Sequence, residues 1–192
     1  MNFIRKVLVA CIVIVLCPVA GLGEGGADHL APYRDAVMQL GRELKGRLQK
    51  ALQEDGPVSA ISVCRRSAPE IAERLSREKG FYVGRRALKA RNRENRPDAW
   101  EKKVLETFVK RRHKGEDPSA MEYNETVILE DGRKVVRYMK AIPTGGLCLI
   151  CHGETISPDI AGALQAHYPL DRATGFKKGD IRGAFTVMQL LK

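Results

Sequence analysis

Asp131-Gly132 lies between two runs, Tyr123–Glu130 and Arg133–Ile142, that are rich in β-branched and aromatic residues. Strand-forming segments joined by Asp-Gly predict an antiparallel hairpin, and a type I′ turn would need positive φ at both central positions. This fixes the character of the C-terminal half. A further strand is expected over Ile181–Leu191, and residues 158–167 read as a short helix. The N-terminal half carries a different period. Val37, Leu40, Leu44, Leu48 and Leu52 recur every three or four residues, which predicts a helix over residues 28–54. Gly41 and Gly46 interrupt it, each costing about 1 kcal/mol against Ala unless close packing needs it. Gly56-Pro57 should end it.

After the short apolar stretch Val58–Cys64, Ser67-Ala68-Pro69-Glu70 reads as a helix start, with Ser67 as N-cap, Glu70 completing a capping box and Gly80 closing the helix. Residues 83–97 are basic and polar and read as an irregular loop. A third helix should begin near Asp98, with Trp100, Val104, Leu105 and Phe108 on one face and Lys110–Lys114 complementing its C-terminal dipole. Helices first and strands later predict one α+β unit with an antiparallel sheet.

Cys148-Leu149-Ile150-Cys151-His152 is a C-x-x-C-H motif. Two thiols at this spacing can add across the two vinyl groups of a haem, and the adjacent His152 then lies under the iron. The expected cofactor is therefore one covalent haem c, with Cys148 and Cys151 as its thioethers. Other uses of the motif fit less well. A thioredoxin-like pair belongs in a βαβ context, whereas this motif follows a hairpin. A structural zinc site wants a second ligand pair at similar spacing, and a plain disulfide leaves His152 unexplained.

The N-terminus supplies the compartment. Arg5 and Lys6 precede an apolar run, Val7–Leu16, followed by a small-residue stretch from Pro18 to Gly26. That is the layout of a secretory signal peptide, with a cut after Gly21 or Gly23. Residues 1–23 are read as this signal segment, with an uncleaved anchor and membrane association as the alternative, and residues 24–192 as one haem-binding domain. The apolar run is short against the roughly 20 residues that a span requires. Leu8-Val9-Ala10-Cys11 resembles a lipobox but precedes a complete apolar region. Export to the periplasm is the expectation.

Losing Arg5 and Lys6 takes the net charge from +10 to +8. Export and the scattered placement of the basic residues argue against nucleic acid and for a solvated surface. Five cysteines become three on cleavage, and haem attachment would use two of them. Cys64 is left over.

The second axial ligand is open among Cys64, His29, His113, His167, Met38, Met121, Met139 and Met188. Cys64, the unpaired thiol at the end of an apolar stretch, is the leading candidate; its ordinary alternative is a small buried core residue.

Further segments resemble a known family. They are Ala60–Cys64 with Ala68–Ala72, Val83–Arg85, Arg91–Asn95, Pro97–Glu101, Cys148–Gly153, Tyr168–Asp171, Ala173–Gly175 and Gly179–Ala184. In this order they are similar to the single-haem c-type domain of PAS-like fold, found in a cyanobacterial haem protein and in sensor regions of bacterial histidine kinases. The resemblance spans nearly all of the mature chain. It implies a PAS-like antiparallel sheet packed by N-terminal helices, and an iron held by His152 and, upstream, by Cys64. One departure is Arg93, where a proline after Asn92 would be expected.

These readings leave two functions. A redox or diatomic-gas sensing module would lose Cys64 from the iron on reduction or gas binding, and would act on a signalling partner. A periplasmic low-potential electron-transfer cytochrome would keep both ligands and meet a redox partner protein. A thiolate stabilises ferric iron, so the potential should be low. Arg85, Arg91 and Arg182 are candidate partners of haem propionates. With both axial positions filled and no acid/base pair in view, an enzyme is not expected.

Overall fold

The computed structural model describes residues 28–191. The expected signal segment, residues 1–23, lies outside them. None of the described helices is long and apolar enough to cross a membrane.

The chain opens with α1 (Ala31–Glu54), whose Tyr33, Ala36, Val37, Leu40 and Leu44 are buried. Gly41 serves close packing: a Cβ there would come within 3.1 Å of the Phe185 ring, whereas Gly46 faces open space. Helix α2 (Gly56–Ser62) continues through a π turn (Val63–Ser67) into α3 (Ala68–Lys79). This corrects the expected helix start. Ser67 has helical backbone angles and makes no capping bond, so no capping box forms with Glu70. The cause lies in Pro69, which has no N–H for Arg65 O and whose ring crowds that carbonyl. Widening the preceding turn to π relieves the crowding without ending the helix. Gly80 closes α3 in the left-handed region, as expected.

Strand β1 (Tyr82–Arg86) follows, and all but its first residue falls in the stretch expected to be irregular. It is short, basic and contains Gly84, so its local sequence is a weak strand signal; pairing along β4 supplies what propensity does not. Helix α4 (Ala99–His113) begins as expected, with a capping box between Asp98 and Glu101. Strands β2 (Glu122–Ile128) and β3 (Lys134–Pro143) form the hairpin. Its turn differs from the expectation. Gly132 has positive φ but Asp131 does not. Gly132 N donates to Leu129 O and Leu129 N to Arg133 O, each at 2.9 Å. That is a three-residue loop, a type I turn closed by a left-handed glycine, and it spares Asp131 the strained region. The chain ends with α5 (Leu149–His152), α6 (Pro158–His167) and β4 (Ile181–Leu190).

The fold is α+β. The antiparallel sheet has the order β1-β4-β3-β2. Side chains alternate across it. Val83, Tyr138 and Val187 face α1 and α3, while Met139, Ala141 and Ala184 face α4. Arg34 ties α1 to the sheet through Glu122, which also accepts from Tyr138 Oη at 2.8 Å. A smaller cluster, Ile61, Ile160, Leu164 and Tyr168, joins α2 to α6 and packs against Cys151.

Candidate functional site

Cys148, Cys151 and His152 are brought to the surface of this smaller cluster by one helical turn after β3. The turn has no stabilising length of its own. It is held from outside, chiefly by the segment 171–176. Phe176 N donates to His152 O at 3.0 Å and Gly175 N to Gly153 O at 2.9 Å. Gly153 is required at this corner, because a Cβ would lie 2.6 Å from Leu149 O.

His152 is oriented by one bond. Its Nδ1 lies 2.6 Å from Ala173 O. A carbonyl can only accept, so Nδ1 carries the proton and Nε2 keeps its lone pair. Burial, with the nearby charges of Arg182, Arg91 and Arg85, pushes the imidazole pKa down to about 2. The ring is therefore neutral at any ordinary pH, as a metal ligand must be. Phe176 packs edge-on against it, with centroids 6.3 Å apart.

Cys64 sits on the π turn and reaches the same region. It acts electrostatically on Cys151, on Arg85 and on Tyr168. Burial pushes the Cys151 thiol up, and its neighbours Cys64 and Cys148 add to this against Arg91. The three thiols are not joined in disulfides. Among the described residues, no cluster of three or more His, Cys, Asp or Glu is placed to hold a metal ion by itself.

Of the other axial candidates, His167 adjoins this region, its Nδ1 3.3 Å from Arg65 Nη1, and the rest are elsewhere. His29, His113 and His167 are exposed, as are Met38 and Met188. Met121 and Met139 are buried in the core under α4.

Three arginines surround His152. Arg91 is committed: its guanidinium bonds Asp171 at 2.9 Å and Cys151 O at 2.5 Å. Arg182 lies over the Phe176 ring, 5.3 Å from its centroid, and donates to Lys89 O at 3.3 Å. Its Nε is buried with no hydrogen-bond partner among the described residues, and burial, with Arg91 and Arg85 nearby, lowers its pKa to about 10. Burial likewise lowers that of Arg85, whose countering neighbours are Cys64 and Tyr168. The Arg91–Asp171 pair was not foreseen from the sequence. The two residues are 80 positions apart; the sequence marks Asp171 only through the resemblance, and Arg91 there and as a candidate propionate partner, whereas the structure pairs it with Asp171.

The fold and site define an α+β protein with a thiol pair and a pre-oriented neutral imidazole on one small helical turn, and with the guanidinium groups of Arg85, Arg91 and Arg182 brought to it from other segments. The family model described as "Tll0287-like: Tll0287" matches residues 27–189, and the chain belongs to that family. Among solved structures it is similar to the cyanobacterial heme-protein Tll0287, with a TM-score of 0.65 and 25% identity over 86% of this chain and 97% of the other. No curated protein matches.

Proposed function

We propose that this chain binds one covalent c-type haem through Cys148 and Cys151, with His152 Nε2 and the Cys64 thiolate as axial ligands, and serves as a redox or diatomic-gas sensing module. Bound haem would supply a one-electron iron centre that can also take a gas in place of a ligand. Export of residues 24–192 to the periplasm after loss of residues 1–23 is part of this reading. So is a signalling partner.

The observation that carries it is the hydrogen bond from His152 Nδ1 to Ala173 O, which presents Nε2 as a ligand beside two free thiols. Family membership and the likeness to a heme-protein support haem as the group bound. The residues also fit its charge. Haem brings two propionates, and Arg182 and Arg85 are desolvated guanidiniums without a carboxylate partner among the described residues. Cys64 is supported by its place on the π turn near Cys151, a local irregularity of a kind that recurs at functional sites.

A low-potential electron carrier is the second reading, favoured by the exposure of Ile150 (38%) within the attachment turn, which leaves that edge open to a partner. The first test is the ferric absorption spectrum of protein matured with the c-type attachment machinery, beside Cys64→Ala. A change to a high-spin or His/water pattern is expected; coincident spectra would remove Cys64 from the iron. Carbon monoxide then separates the functions. Binding to the ferrous protein with loss of Cys64 supports sensing, and an unchanged six-coordinate spectrum supports electron transfer.

A further inference from the structure

We propose that Arg91 is the positioning residue for His152, a role distinct from that of Arg85 and Arg182. The proposal deepens the haem reading and rests on it for its redox consequence. Arg91 lies in the segment between β1 and α4, far in sequence from what it holds. Its Nε donates to Asp171 Oδ2 at 2.9 Å, and its Nη2 donates to Cys151 O at 2.5 Å and Ala173 O at 3.3 Å. Asp171 Oδ1 accepts from Ala173 N at 2.7 Å. Ala173 O is also the acceptor of the His152 Nδ1 proton. One guanidinium therefore grips both the segment that carries the imidazole and the carbonyl that orients it.

The pair is nearly out of water, at 9% and 11% side-chain exposure. A buried ion pair is weak evidence of a stabilising role, and its better-attested use is to fix one arrangement. Here the arrangement fixed is the imidazole. The planar fork of arginine reaches three acceptors at set angles, and a lysine ammonium on a flexible stem cannot. The guanidinium also draws electron density from Ala173 O. That limits how far the carbonyl can pull the Nδ1 proton and make the ring a stronger donor to ferric iron. Loss of Arg91 would remove this restraint and leave Asp171 as an uncompensated anion beside the site. Both changes favour ferric iron and lower the potential.

The test compares wild type, Arg91→Gln, Arg91→Lys and the double variant Arg91→Gln/Asp171→Asn, all full-length and matured with the attachment machinery. Three readouts apply: the reduction potential, the spread of low-spin ferric EPR g values, and solvent exchange of the His152 Nδ1 proton. The expected results are a lower potential, heterogeneous g values and at least tenfold faster exchange in Arg91→Gln. Arg91→Lys should keep the potential near wild type while the g values broaden. The double variant should recover the part of the potential due to the Asp171 charge but not the exchange rate, which a merely structural role would not produce. Wild-type potential, g values and exchange in both single variants would overturn the assignment. If Arg91→Gln does not accumulate, Arg91→Lys decides on g values and exchange alone. If wild type carries no covalent haem on a denaturing gel, the haem reading fails and ¹⁵N shifts of the His152 ring decide on the same samples. A single Nδ1–H tautomer in wild type that becomes a mixture in Arg91→Gln supports the assignment, and one tautomer in both overturns it.

Discussion

Between α4 and the sheet, Arg86 and Arg137 converge on Glu101 at 2.8 and 3.4 Å, and Arg137 also bonds Asp98 at 2.6 Å. Thr186 Oγ1 donates to Glu101 at 2.9 Å, and Arg137 stacks 4.4 Å from the Trp100 centroid. Two cations meet two carboxylates there. Around His152 stand three arginines and one carboxylate: Arg91 pairs with Asp171, while Arg85 and Arg182 have no ion-pair partner among the described residues, and a buried Nε without a hydrogen bond occurs in both regions, at Arg182 and at Arg137. Both regions take guanidinium groups out of water. The first balances their charge within the protein. The second does not, and its unbalanced charge is what the propionates of the proposed haem would answer.

Opposite responses to truncation should separate the two regions. The largest effect is expected from Glu101→Ala. It leaves Arg86 and the inner side of Arg137 buried without their shared anion, at a cost of about 3–5 kcal/mol, read as a fall in the denaturation midpoint. Arg182→Leu should do the reverse in protein prepared without haem, leaving stability unchanged or raising it by about 1 kcal/mol, because it removes an unpaid desolvation. In haem-loaded protein the same variant should destabilise. A loss of several kcal/mol in haem-free Arg182→Leu would break the comparison.

Pro69→Ala should have a smaller effect on stability and a larger one on ligation. Restoring an N–H at residue 69 lets the π turn relax toward a regular helix, which rotates Cys64 relative to the site. A shifted ferric spectrum with a midpoint change below about 1 kcal/mol is expected. An unaltered spectrum would mean that Pro69 does not set the position of Cys64.

The smallest effect concerns acid. Arg34, and then Tyr138, hold the Glu122 carboxyl below its ordinary pKa against its partial burial. A depressed folded-state pKa contributes stability that is complete above the unfolded value, near pH 4, and is lost as pH falls through the folded value. Glu122→Gln should therefore flatten the stability profile below about pH 5 and leave the His152 region unaffected. An identical acid limb in the variant would show that the Arg34–Glu122 contact is exposed enough to be screened.

Much of the fold was legible locally. The 3–4 spacing of α1, the apolar face that follows Asp98 and the β-branched runs around Asp131-Gly132 are short-range signals, and each element formed where they lie. The misreadings came where a local signal had two meanings. Ser67–Glu70 has the letters of a capping box, yet Ile61, Cys64, Ala68, Ile71 and Leu75 already follow a helical period across it. Pro69 reads locally as a helix beginning, whereas in the fold it marks a widened turn. Strand β1 was hidden because its stability resides in its neighbour, β4.

By itself the sequence determined the α+β class, the thiol pair, the adjacent histidine and Cys64 as the odd thiol, since these depend on residue type and on spacings of a few residues. Only the tertiary structure decided that His152 presents Nε2, that Cys64 lies on a π turn near Cys151, and that Arg91 is paired with a carboxylate while Arg182 is left with a buried, unbonded Nε. Those facts depend on contacts between segments 21 to more than 80 residues apart, such as His152 with Ala173 and Arg182 with Lys89. No local pattern encodes such a meeting, because it is set by how the sheet and helices pack and by which polar groups burial leaves without water.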